Sequence, residues 1–134
     1  MKTTRIVSIL IFFVMLASFP AYADYFQKMC IYNKTSSSAT YDLYLNNKHI
    51  KENSIWPENS DCEWGHNDAT RFNVKISIYE EKGNYITVYS TEIDVDAKKG
   101  KIDLKEFKGD QGRTQYKACS YRDNGSLENC KILK

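Results

Sequence analysis

Across residues 71–79 apolar and polar side chains alternate without a break: Phe72, Val74, Ile76 and Ile78 on one parity, Arg71, Asn73, Lys75 and Ser77 on the other. A strand can bury such a stripe, because its successive side chains point to opposite faces; a helix cannot. The same period returns along most of the chain. Tyr41, Leu43 and Leu45 alternate with Asp42, Tyr44 and Asn46, and Asn46-Asn47 offers a turn into a strand over 49–56. Residues 26–33, 101–104, 115–122 and 127–133 read as further strands. Residues 85–95 form a long one whose apolar phase switches from Ile86 and Val88 to Ile93 and Val95, which predicts a bulge or bend near Ser90-Thr91. Seven or eight short strands with turn signals between them predict an all-β domain, an antiparallel β-sandwich, with a small barrel as second choice.

The first 23 residues stand apart from this pattern. Lys2 and Arg5 make a basic start, residues 6–19 an apolar run, and Ala21-Tyr22-Ala23 places small residues at the two positions a signal peptidase reads. The run is shorter than the ~20 residues a spanning helix needs. We therefore expect a helical secretory signal peptide over 1–23 and one domain over 24–134, exported to the periplasm or beyond and not inserted in a membrane after cleavage. The whole chain holds 19 basic and 17 acidic residues. Lys2 and Arg5 leave with the signal and no acidic residue does, so the mature chain is formally neutral. A general electrostatic attraction to nucleic acid is thereby removed, and no nucleic-acid partner is expected. Lys98, Lys99, Lys101, Lys105 and Lys108 form the one basic cluster, and interleaved Asp94, Asp96, Asp103 and Glu106 make it read as a mixed solvated surface.

Four cysteines, Cys30, Cys62, Cys119 and Cys130, remain in a small exported chain, which predicts two disulfides. No Cys-x-x-Cys pair supports a metal site. Asn124-Gly125 is the strongest hairpin signal, suited to a type I′ turn. Counting outward from it sets Cys119 opposite Cys130 and leaves Cys30 for Cys62. With a two-residue loop the first pair would fall at a hydrogen-bonded position, ~5.5 Å apart at Cα.

Enzyme signatures are missing: there is no Gly-x-Ser-x-Gly, no phosphate-cradling glycine loop and no His-Glu-x-x-His. No cofactor is expected. Glu92, Asp94 and Asp96 alternate along one strand and read as a solvated face rather than a calcium site. The segment 56–66 carries both tryptophans around Cys62 and ends at His66. Loops pinned to a scaffold commonly carry recognition, and tryptophan joins a large apolar plane to one N–H donor. Trp64, Trp56, His66 and the strand tyrosine Tyr44 are thus the candidate binding residues, with Trp56 expected to pack inward and Trp64 outward. The function this implies is a non-catalytic binding protein that recognises a protein or glycan through a disulfide-anchored tryptophan loop. A structural or assembly subunit of a cell-surface apparatus is the alternative. A small secreted hydrolase using His66 comes third.

Overall fold

The computed structural model describes residues 28–64 and 70–134; the expected signal segment and His66 lie outside them. The described residues form nine strands: β1 Lys28–Asn33, β2 Ser38–Leu45, β3 Lys48–Ile55, β4 Ser60–Trp64, β5 Arg71–Lys82, β6 Tyr85–Asp96, β7 Lys101–Lys108, β8 Thr114–Tyr121 and β9 Leu127–Ile132. They make a β-sandwich of a five-stranded sheet, ordered β4-β1-β7-β8-β9, on a four-stranded sheet, ordered β3-β2-β5-β6. All neighbours run antiparallel except β1 and β7, which are parallel. That pair departs from the purely antiparallel expectation. It arises because β4 takes one side of β1, and the chain crosses to the other sheet and returns as β7 on the opposite side.

Each sheet turns its apolar parity inward. Phe72, Val74, Ile76 and Ile78 of β5 meet Ile31, Ile102 and Leu104 of the facing sheet within one core. Burying each such side chain contributes about 1.5–3 kcal/mol. The turn residues behave as their chemistry dictates. Asn46 and Asn47 both take positive φ, 50° and 64°, in the two-residue β2–β3 hairpin. Gly100 is required by close approach, since a Cβ there would stand 2.5 Å from the Asp96 carbonyl oxygen.

Three features correct the sequence reading. β5 and β6 pair in continuous register from Arg71↔Asp96 to Lys82↔Tyr85, with no bulge at Ser90-Thr91. The phase switch marks instead where the hairpin runs past the core: residues 81–88 are exposed on both faces, so Ile86 and Val88 point outward. The β8–β9 turn is a three-residue loop rather than a type I′ turn. The Gly125 N–H donates to the Arg122 carbonyl and only Gly125 takes positive φ, as in a type I turn closed by a left-handed glycine. A register shift between Ser120 and Tyr121 follows, and Cys119 faces Cys130 at a Cα separation of 4.1 Å, shorter than the hydrogen-bonded spacing expected above. Finally, Ser60–Trp64 is a strand, not part of a loop.

Both disulfides, Cys30–Cys62 and Cys119–Cys130, form as the turn counting implied and leave no free thiol among the described residues. They mark an oxidising, extracytoplasmic environment.

The two lateral edges of the sandwich close differently. On one side the Ser90 and Lys134 main chains exchange hydrogen bonds of 3.0 and 3.1 Å, tying β6 to the residues that follow β9. On the other side the Tyr41 hydroxyl donates to Asp61 of β4, which also accepts from Asn53 at 2.8 Å and pairs with Lys51 at 3.3 Å. Burial pushes the Asp61 carboxyl up, but these donors and the Lys51 charge outweigh it and hold it below the ordinary range. Burial and the neighbouring Asp61 charge push the Tyr41 phenol up. At one end, Tyr116 donates to Glu80 at 2.8 Å, and Glu80 also pairs with Lys82 at 2.8 Å. Lys82 and then Tyr116 lower the Glu80 carboxyl, while burial chiefly pushes the Tyr116 phenol up to about 12.

These shifts fix the sign of the pH dependence. Asp61 and Glu80 hold protons less tightly in the fold than in the unfolded chain, so stability is present above the ordinary carboxyl range and is lost as pH falls through it. The raised phenols contribute stability below their unfolded range, near pH 10, and lose it as pH climbs beyond. The urea midpoint of the disulfide-intact protein should therefore be level from about pH 5 to about pH 9 and decline on both sides. Asp61→Asn should shrink the acid-side decline. An unchanged midpoint at about pH 3 contradicts this assignment.

Candidate binding face

The strand parities decide which side chains share a surface. In the five-stranded sheet Ile31, Ile102, Leu104 and Ala118 point into the core, so Lys28, Cys30 and Tyr32 of β1 point out. Their cross-strand partners point out with them: Trp64 opposite Lys28, Cys62 opposite Cys30, Lys101 opposite Cys30 on the other side, and Asp103 opposite Tyr32. β8 continues the row with Tyr121 opposite Lys101, Cys119 opposite Asp103 and Lys117 opposite Lys105. Both disulfides lie on this outer face.

Lysines and aromatic rings interleave across it. The Lys28 ammonium stands 5.6 Å from the Trp64 ring centre. Lys101 lies 4.8 Å from the Tyr121 ring and 5.9 Å from Tyr32. Lys105 donates to the Tyr121 hydroxyl at 3.3 Å, and Lys117 lies 5.3 Å from the Phe107 ring. Rings attract cations through the negative charge of their faces, which helps to hold these long side chains in place.

The one carboxylate among these outer positions is Asp103. Its side chain is only 3% exposed, and one oxygen accepts from Lys34 at 3.0 Å and lies 3.8 Å from Lys101. The other oxygen is buried without a hydrogen-bond partner. Asp103 thus anchors two ammonium groups from beneath and offsets the charge of one of them. The face carries Lys28, Lys34, Lys101, Lys105 and Lys117 against this single buried acid.

The outer face of the four-stranded sheet is its electrical opposite. Asp42, Glu52, Glu81, Glu92, Asp94 and Asp96 share that parity with Arg71 and Lys75. Glu92 pairs with Lys75 at 3.5 Å, and Asp94 accepts from Asn73 at 3.0 Å. A β-bulge between Leu43 and Tyr44 turns His49 onto the same side, where its Nε2 lies 3.0 Å from Asp42. Asp42, His49 and Glu52 bring ligand atoms within 4.8 Å of one another, the set among the described residues that could hold a metal ion. An open hollow of about 500 Å³ lies beside them, lined in part by Thr40, Ser54 and Tyr79.

The residues singled out in the sequence are therefore not one cluster. Trp64 is 53% exposed at a corner of the lysine-rich face. Trp56 is 69% exposed in the turn from β3 to β4, which overturns its expected inward packing. The crossover carries it clear of the core, and Ile55 fills the inward position instead. β4 lies between the two indoles, about 13 Å from its first to its last residue at ~3.3 Å per step. Tyr44 belongs to the acidic face, packed edge-on against His49 with centroids 5.2 Å apart. Lys101, Lys105, Lys117, Tyr32 and Tyr121 share the lysine-rich face and are not among the binding candidates that the sequence suggests. Their signal was parity: Lys101 and Lys105 are odd where buried Ile102 and Leu104 are even.

Comparison with protein-family models, with curated proteins and with solved structures found no match.

A positive local potential gathers anions, and each indole reports its own surroundings. In Trp56→Phe protein, where Trp64 is the remaining tryptophan, iodide should quench fluorescence more strongly than caesium. The anion preference should be smaller in Trp64→Phe protein. Equal preference in both variants contradicts the charge segregation described here.

Proposed function

We propose that this is an exported, non-catalytic binding protein, delivered to the periplasm or the extracellular space by the signal over 1–23, which recognises a glycan or a protein with the outer face of its five-stranded sheet. The observation that carries the reading is the set of four rings, Trp64, Tyr32, Tyr121 and Phe107, each with a lysine ammonium within 6 Å. Two disulfides brace this face, so little order has to be created on binding. Aromatic planes beside fixed charges are the groups from which binding hot spots are built. Disulfide bonding also occupies all four thiols, so no cysteine is available as a nucleophile.

Trp64→Ala should weaken capture of the partner by at least about tenfold while thermal unfolding stays cooperative, a loss in keeping with a hot-spot ring. Tyr44→Ala, on the opposite face, should leave capture unchanged. Undiminished capture by Trp64→Ala removes this face from the function.

A second reading, a structural or assembly subunit, draws on the exposed β5–β6 arm. Because the Ser90 main chain bonds outward to Lys134, the residues of its parity turn their N–H and C=O groups to the free side of β6. Ile86 and Val88 share that parity and expose apolar side chains. Such an edge can accept an added strand. Sedimentation at high concentration decides: a monomer throughout rules out self-assembly through the arm.

A further inference from the structure

From the charge and spacing of the binding face we infer that its ligand is a linear acidic polysaccharide, a chain of pyranose rings bearing carboxylates, laid over β4, β1, β7 and β8. The inference rests on the binding face proposed above and names what it binds.

Charge complementarity supplies the sign of the ligand. The mature chain is neutral, yet the strand parities place Lys28, Lys101, Lys105 and Lys117 on this face, the ion pair with Asp103 adds Lys34, and that one carboxylate is buried. Acidic side chains collect on the opposite face. The surface thus presents a local positive field that the net charge conceals.

Repetition supplies the form of the ligand. The face holds three ring-and-ammonium units: Trp64 with Lys28 on the β4–β1 side, Tyr121 with Lys101 and Lys105 in the middle, and Phe107 with Lys117 beside them. The first two units lie at about one level from β4 to β8, three strand spacings or about 14 Å apart, and the third follows four residues further along β8, about 13 Å on at ~3.3 Å per step. A polymer whose every residue carries one flat apolar face and one negative charge can satisfy all three units in succession. A uronic-acid sugar is such a residue, with axial C–H groups for the ring and a carboxylate for the ammonium. A single-stranded nucleic acid also repeats flat and charged groups. The oxidising compartment marked by the disulfides, where polysaccharides coat cell surfaces, favours the sugar. An unbranched chain suits a sheet face that is braced by disulfides.

The test uses the mature, disulfide-intact protein in calorimetric titration with polygalacturonate. Dextran serves as the neutral polysaccharide, an oligothymidylate as the nucleic acid, and phosphatidylglycerol vesicles as the anionic membrane. Polygalacturonate should bind in preference to all three. Its affinity should fall roughly twentyfold as salt rises from about 50 to about 200 mM, through release of counterions from about three neutralised charges at the slope of a single-stranded polyanion. Lys28→Gln combined with Lys117→Gln spares Asp103 and its partners, and should also cost about tenfold with the circular dichroism spectrum unchanged.

Equal binding of dextran, affinity that ignores salt, indifference to the lysine pair, or preference for the oligonucleotide or the vesicles would each overturn the acidic-polysaccharide assignment. The binding face itself is judged separately by Trp64→Ala. If that variant loses a neutral glycan or a protein that the lysine pair still binds, the face stands and the acidic ligand falls.

Discussion

A one-residue slip in any strand of the five-stranded sheet would carry its outer side chains to the inside, and both edge strands of this sheet are covalently held against it. Cys30 is bonded to its direct cross-strand partner Cys62, and Cys119 to Cys130. Two covalent links therefore lock the register near both edges of the sheet. By loop-closure entropy the 32-residue link is worth about 4 kcal/mol and the 11-residue link about 3. The consequence for function is positional. Register determines that Lys28, Lys101, Lys105 and Lys117 lie on one face with Trp64 and Tyr121, while Ile102 and Leu104 fill the core.

β4 shows how little of this depends on apolar burial alone. It is a five-residue edge strand whose inward positions are Asp61 and Glu63. Instead of hydrophobic contact it is held by the Cys30–Cys62 bond and by the cluster of Tyr41, Asn53 and Lys51 around Asp61. Two carboxylates at inward positions are tolerable there because donors and a cation from the other sheet meet them. The same residues shield this lateral edge, while Ser90 and Lys134 join main chain to main chain across the other. At a third point Asn33, buried, donates to the carbonyls of Ser37 and Ile55 and so ties β1 to the partner sheet. Trp64 sits at the end of the strand that needs the most such support.

Where burial and alternation coincide the fold was legible in the sequence. Residues 71–79 announced β5, Asn46-Asn47 the β2–β3 turn, and the position of Asn124-Gly125 the disulfide pairing. β4 was not legible, because a strand with acids inward and cysteine and tryptophan outward has no apolar alternation to read. Trp56 misled because large apolar residues need not be inside: the rule that cores are apolar does not run backwards. The phase switch in β6 was a true signal given the wrong cause, a bulge in place of a hairpin that outruns its core. The parallel β1–β7 pairing joins segments some 70 residues apart, and no local pattern encodes it. The lysine-rich face was hidden by interleaving, since Asp103 stands between Lys101 and Lys105 in sequence and only the folded packing shows that it is buried.

We propose the outer face of the five-stranded sheet as the recognition surface. Residue-resolved chemical-shift mapping tests it most directly, with isotopically labelled mature protein titrated with short oligogalacturonates. Perturbed amides should cluster at Lys28, Tyr32, Lys101, Lys105, Lys117 and Tyr121, with Asp42, Glu52, Glu92 and Asp94 on the far face unmoved. Perturbations centred on the far face or on the β5–β6 arm, or none at saturating ligand, would contradict it.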